Sequence, residues 1–280
     1  MNKQIPLDPF TNVVASGVAI SDMNKFLGSV LEKITFVLAG TALTKAMITL
    51  IQLKANGKVI YETDGSKLDA SNLYNGGYND AAILKLDLMD RKAITVNARQ
   101  AGALDLSAKS GITSLRLEVT ISGATAPALS AVGDVSPPSE DPSEAGIRWL
   151  ITRRHRATQT IGAAGTFALA IPHIDPAGGG SNYRRVHIYA ANITGIKSVR
   201  EGITEHELTS TQLIASARDN GKSPQANLVV FDPVQDGQLQ GRTWDTRPAS
   251  GVRSAQFYAT FSGGETITIE TEELIPFSAY

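Results

Sequence analysis

Gly251-Val252-Arg253-Ser254-Ala255-Gln256-Phe257-Tyr258-Ala259-Thr260-Phe261-Ser262-Gly263 restates a stretch that stands 140 residues earlier. That stretch is Gly111-Ile112-Thr113-Ser114-Leu115-Arg116-Leu117-Glu118-Val119-Thr120-Ile121-Ser122-Gly123. Five of the 13 aligned positions are identical, where composition alone gives about one. Working outward, Gly57 through Ser71 lines up with Gly202 through Ser216 at an offset of 145, with Glu62/Glu207, Leu68/Leu213, Ala70/Ala215 and Ser71/Ser216 among the identities. The same offset puts Ile83–Asp87 on Leu228–Asp232, and Ala15–Ile20 resembles Ala163–Leu169. Echoes that keep their order over such a period mean a whole domain written twice, with small loop insertions between the copies.

Composition agrees with two cores. The chain has 280 residues, of which 42% are hydrophobic, and a net charge of −1. That length suits two domains of ordinary size. The charge balance argues against a chain that coats nucleic acid, because neutralising phosphates takes a surplus of Lys and Arg. Cysteine is absent, which excludes disulfides and thiolate metal sites. Residues 1–6 carry no signal-peptide pattern, and no apolar run reaches the ~18–20 residues of a membrane span.

Along the chain, short β-branched runs alternate with Gly, Asn and Asp turns every few residues. Strands are predicted over 13–20, 31–38, 47–54, 58–62, 82–89, 93–97 and 112–122 in the first half. Asn56-Gly57 is the strongest hairpin turn. In the second half, strands are predicted around 147–156, 160–171, 185–190, 192–200, 227–232, 239–244, 252–261 and 266–271. Ser262–Glu265 is read as a hairpin between the last two. Residues 63–71 read as a capped short helix or a loop, and 209–218 more convincingly as a helix. Strands at this spacing predict an antiparallel sandwich or jelly roll in each half. The fold expected is therefore all-β: two tandem eight-stranded jelly-roll barrels with short helices in loops. The boundaries expected are an arm at 1–12, a first barrel at 13–127, a linker and lead-in at 128–157, a second barrel at 158–275 and a tail at 276–280. Ser136–Glu144, Pro-rich and acidic, marks the connection.

No catalytic constellation stands out. His155, His173, His187 and His206 lack metal-ligand spacing. Gly178-Gly179-Gly180 and Gly221-Lys222-Ser223 lack the rest of a phosphate loop, and no Gly-x-Ser-x-Gly elbow occurs. Asp232–Gly237 carries carboxylates without regular calcium-loop spacing, and a cation shared between loops or subunits is kept as a possibility. Glu270-Thr271-Glu272-Glu273 reads as a solvated strand edge. Arg153-Arg154-His155-Arg156, beside Trp149, is the one concentrated basic run. It suits a solvated face or a contact with another subunit or an inner surface better than nucleic acid, since no aromatic stacking residues interleave with it. Trp149, Arg153, Arg154 and Arg156 are the candidate contact residues.

Pro127–Val132, Trp149–Arg154, Val186–Ala190 and Ile267–Glu270, in that order and spacing, resemble the double jelly-roll major capsid proteins of tailless, membrane-containing viruses, and most of all the corticovirus type. The resemblance implies a bacteriophage structural protein, not an enzyme. It implies homotrimers with a nearly hexagonal footprint that tile an icosahedral virion over an internal lipid membrane. It further implies contacts with neighbouring trimers, penton proteins and membrane-associated virion proteins, assembly in the host cytoplasm and no sequence-specific nucleic-acid binding. Structural calcium is a family option and no other cofactor is implied. The competing readings are a carbohydrate-binding or carbohydrate-cleaving jelly roll and a secreted adhesin. The first lacks an aromatic platform, since aromatics are 6% of residues with Trp149 and Trp244 the only indoles. The second lacks an export signal.

Overall fold

In the computed structural model, which describes residues 3–138, 150–239 and 242–276, the β-branched runs form eighteen strands. The chain divides into two compact units. The first holds Met1–Asn72, Gly77–Arg154 and Ile275–Tyr280; the second holds Leu73–Gly76 and His155–Leu274.

The first unit contains β1 (Lys3–Pro6), β2 (Gly17–Asp22), β3 (Val30–Ala42), β4 (Ile48–Ala55), β5 (Lys58–Thr63), α1 (Gly65–Tyr74), β6 (Ile83–Asp87), α2 (Val96–Gln100), β7 (Leu104–Asp105), β8 (Leu115–Ile121) and β9 (Thr125–Ser136). One sheet runs β1-β9-β3-β6, with β7 also on β3; the other runs β5-β4-β8-β2. The second unit contains β10 (Leu150–Ile161) from His155 onward, β11 (Gly165–Ala168), β12 (Asn182–Tyr189), β13 (Ile193–Arg200), β14 (Ile203–Thr209), α3 (Ser210–Asp219), β15 (Leu228–Phe231), β16 (Trp244–Asp245), β17 (Ala255–Phe261) and β18 (Glu265–Pro276) as far as Leu274, the first residues of β10 and the last of β18 belonging to the first unit. Its sheets run β10-β18-β12-β15, with β16 on β12, and β14-β13-β17-β11. Strand for strand, the second order repeats the first.

In each unit the inward faces of the two sheets close on one apolar core. Leu31, Ile34 and Phe36 of β3 meet Ile51 and Leu53 of β4 in the first; Val186 and Ile188 of β12 meet Phe257 and Phe261 of β17 in the second. Each fully buried side chain of this kind contributes about 1.5–3 kcal/mol. Strands β8 and β17 show the same alternation, with Leu115, Leu117, Val119 and Ile121 buried in one and Ala255, Phe257, Ala259 and Phe261 in the other.

The identities in the repeat have hydrogen-bond reasons. Asn56-Gly57 and Glu201-Gly202 both take left-handed backbone, φ 50° and 77° in one pair and 53° and 74° in the other, as a two-residue hairpin turn requires. Asn56 Oδ1 accepts from the Thr113 and Ser114 amides at 2.8 and 3.2 Å, and Glu201 Oε1 accepts from those of Arg253 and Ser254 at 2.5 and 2.7 Å. The Ser114 and Ser254 carbonyls answer by accepting from Asn56 and Glu201 N–H at 2.9 and 3.0 Å. At the far end, Ser122 and Ser262 N–H donate to the Met47 and Asn192 carbonyls at 2.9 and 2.8 Å. The stretch repeats because each copy braces the same turn.

Several expectations are corrected. Residues 3–6 of the expected arm form β1, antiparallel to β9. Strand β9 extends to Ser136, and β10 begins at Leu150, so both ends of the expected linker at 128–157 are strand; its middle lies outside the described residues. Residues 93–97 form no strand, and Val96 opens helix α2. The chain from β17 to β18 crosses between sheets and makes a corner, not a hairpin. Among the described residues of the strand expected at 239–244, only Trp244 pairs, opposite Tyr183.

Candidate functional site

The basic run sits at the start of β10, and the chain covers most of it. Arg153 is 8% exposed, Arg154 is 1% exposed and Arg156 is half-buried. Trp149 lies outside the described residues. Arg154 pairs in parallel with Tyr61 of β5, its guanidinium Nη1 donating to Tyr61 Oη at 3.1 Å and Ser71 Oγ at 3.3 Å. Thr152 Oγ1 donates to the Leu88 carbonyl at 2.5 Å. Arg153 and Arg154 are thus buried within the chain itself, which corrects the reading of this run as a solvated face. An arginine in a strand looks solvated in sequence because its partner, Tyr61, is far along the chain.

A second feature escaped the sequence. In each unit the central strand inserts one residue against the last strand. Glu32 is extra between the pairs Leu31–Val135 and Lys33–Asp134, and Arg184 is extra between Tyr183–Glu273 and Arg185–Glu272. Such a bulge bends the strand and re-aims its side chains. At both bulges the re-aimed side chains are charged. In the first, Lys33 lies 2.9 Å and Arg91 3.0 Å from Asp134, with Arg91 also 3.3 Å from Glu32. In the second, Arg185 lies 2.9 Å from Asp232 and 3.2 Å from Glu272, which also meets Arg184 at 3.1 Å and His187 Nε2 at 3.1 Å.

Glu270, Glu272 and Glu273 are all buried, at 0, 5 and 0% exposure, so the expected solvated edge is an interior charged strand. Ser181 Oγ donates to Glu273 at 2.5 Å and Thr271 Oγ1 at 2.6 Å. Burial would raise the Glu272 carboxyl, but Arg184, the His187 hydrogen bond and Arg185 outweigh it and hold the group well below the usual carboxylate range. Burial and then Asp232 push the Tyr74 hydroxyl up. In the first unit, desolvation raises Asp87 against the pull of Lys33, Arg91 and Lys85. The sequence signal was Arg184-Arg185 and Glu272-Glu273, like-charged doublets of opposite sign inside apolar strands.

These arrangements hold a fold and offer no chemistry of turnover. Among the described residues, no group of three or more His, Asp or Glu side chains is placed to share a metal ion. Asp232 is committed to Arg185, and Asp236 lies 3.6 Å from Arg242, so Asp232–Gly237 is not carried forward as a calcium site. Among the described residues no helix is long and apolar enough to cross a membrane.

Comparison with known proteins reads the same way. No curated protein sequence matches the chain. Among solved structures, the major capsid protein P2 of bacteriophage PM2 superposes with a TM-score of 0.79 at 17% identity, covering 98% of this chain and 97% of that one. The STIV major capsid protein gives 0.71 at 12% identity, covering 99% and 97%. PBCV-1 VP54 gives 0.65 at 8%, covering 98% and 93%. These likenesses show the fold to be the double jelly roll. Residues 4–136 match the viral coat protein P2 N-terminal domain and residues 151–275 match the viral coat protein P2 C-terminal domain. With one half of the family in each barrel, the chain belongs to the viral coat protein P2 family.

Proposed function

We propose that three copies of this chain form one capsomer, whose six barrels present a nearly hexagonal outline, and that such capsomers tile an icosahedral shell over an internal lipid membrane. Coat-protein membership makes the chain a structural protein of a virion capsid that assembles with itself, and nothing favours the carbohydrate alternative. The observation that carries the finer reading is the strand-for-strand duplication. Three two-barrel chains tile like a six-fold object while needing only three-fold symmetry. In the same reading, assembly takes place in the host cytoplasm, penton and membrane-associated virion proteins are further partners, and the half-buried Arg156 serves a subunit or inner-surface contact.

Class averages of the purified protein by electron microscopy test this. Three-fold particles with six peripheral lobes are expected. Two-lobed single chains at all concentrations would remove the capsomer reading and leave the fold untouched.

A further inference from the structure

The second unit holds a cavity of about 380 Å³ between β14, α3 and the chain joining β15 to β16. That volume is in the range of sites for small molecules. Leu208, Leu213, Phe231 and Trp244 give it an apolar wall. In the duplicated register, 145 residues earlier, His206 corresponds to Tyr61 and Ser216 to Ser71. In the first unit a guanidinium covers those positions, with Arg154 Nη1 donating to Tyr61 Oη at 3.1 Å and to Ser71 Oγ at 3.3 Å. In the second unit Ser216 Oγ accepts instead from Gln235 Nε2 at 2.6 Å, and both residues stand on the cavity wall. The place taken by an arginine in the first unit is thus open in the second.

The charged groups around the cavity leave a positive remainder. Glu205, Asp232, Arg200 and Arg242 line it. Glu205 accepts from Arg200 Nε at 2.8 Å and from the Trp244 indole N–H at 2.9 Å. Asp232 accepts from Arg185 Nε at 2.9 Å and from Val234 N–H at 3.2 Å. Both acids are therefore committed inside the fold, and Arg200 spends its Nη1 on the Asp245 carbonyl at 2.9 Å. Arg242 differs. Its paired carboxylate, Asp236, lies 3.6 Å away, longer than a hydrogen bond, and its side chain is 55% exposed. His206 supplies a second donor. Its ring stands edge-on to Phe231 with centroids 5.0 Å apart, and its Nδ1 shares a hydrogen bond of 2.9 Å with Ser198 Oγ. With the Ser198 hydroxyl donating to Nδ1, the neutral ring carries its proton on Nε2 and offers it to a ligand.

We propose that this cavity binds a small organic oxyanion, with its phosphate or carboxylate head on the Arg242 guanidinium and His206 Nε2 and its apolar body on Leu208, Leu213 and Phe231. A guanidinium presents paired N–H groups that match either head. The apolar wall adds burial that a bare inorganic ion does not use. A cation finds no partner here, since both acids on the wall are already taken. The inference goes beyond the coat-protein reading and does not rest on the three-chain capsomer.

Isothermal titration calorimetry of the full chain with phenyl phosphate tests it. Phenyl phosphate is expected to bind once per chain, about tenfold tighter than inorganic phosphate, which lacks the body, and than phenol, which lacks the head. Arg242→Gln is expected to weaken phenyl phosphate about tenfold and to leave phenol unchanged. Arg218→Gln, on the exposed end of α3 and away from the cavity wall, is expected to change neither. Both arginines are exposed, so unchanged melting temperatures will show the barrels intact. In NMR spectra the ring signal missing from His206→Gln should move on titration while those of His155, His173 and His187 hold. Displacement of phenyl phosphate by phosphatidylglycerol vesicles would assign the head to a membrane lipid, and no displacement to a soluble ester; both uphold the site. No binding of phenyl phosphate, binding no tighter than that of inorganic phosphate, equal weakening by the two arginine variants or an unmoved His206 signal would overturn it.

Discussion

The two bulge clusters are the same device at two depths. Both stand where one residue is inserted in the central strand, and both pair basic side chains with an acid on the last strand. In the first barrel Arg91, reaching in from a loop, keeps 38% of its side chain in water, and Lys33 keeps 17%. In the second, Arg185, Asp232 and Glu272 keep 2, 1 and 6%. Water screens the first and is excluded from the second. Duplicated geometry therefore does not mean duplicated energetics: a buried pair that loses one member leaves an uncompensated charge, whereas an exposed pair is worth little.

The largest break in this comparison is Glu272→Gln, which takes the carboxylate from Arg184 in the interior and leaves Arg185 to Asp232 alone. The second barrel should lose about 3–5 kcal/mol, read by urea unfolding; a loss under 1 kcal/mol would mean water reaches the cluster. Arg91→Ala, its first-barrel counterpart, should cost about 0–1 kcal/mol by the same measurement.

Acid should separate the barrels next. The folded-state value of Glu272 lies below the ordinary 4.5, so its stabilising share is complete above that pH and is lost as pH falls through the lower folded value. Asp87 is shifted the other way, so protonation favours its folded form and the first barrel gains from that group as pH falls below the raised value. Hydrogen exchange on acidification should open β12 and β18 before β3 and β9. Simultaneous opening would show that the clusters do not set acid stability.

The smallest effect concerns the turn braces. Asn tolerates left-handed backbone better than Glu does, and the amide oxygen of Asn56 already performs in the first barrel what Glu201 performs in the second. Glu201→Asn should leave the melting temperature unchanged or raised, and Glu201→Ala should lower it.

How much of this the sequence discloses depends on how far away each partner lies. Gly111 and Gly251, Ser114 and Ser254, and Ser122 and Ser262 recur because their backbone duties are local to one turn or corner, so the repeat and the two-barrel fold were legible. The α3 capping box at Thr209 and Gln212 was legible for the same reason. Glu270, Glu272 and Glu273 were misread because charge in a strand suggests water, while their partners come from β12 and beyond. Arg154 was misread likewise. Residues 93–97 alternate like a strand, but no neighbouring strand is offered there, and helix α2 begins instead. Ser262–Glu265 reads as a hairpin turn, yet the next strand must enter the opposite sheet for the core to close.

The central claim is that a duplicated barrel builds a three-chain capsomer, and the mass of the purified chain in solution tests it most directly. Light scattering should find a stable species of three 29.7 kDa chains. A single chain persisting across concentration would contradict it.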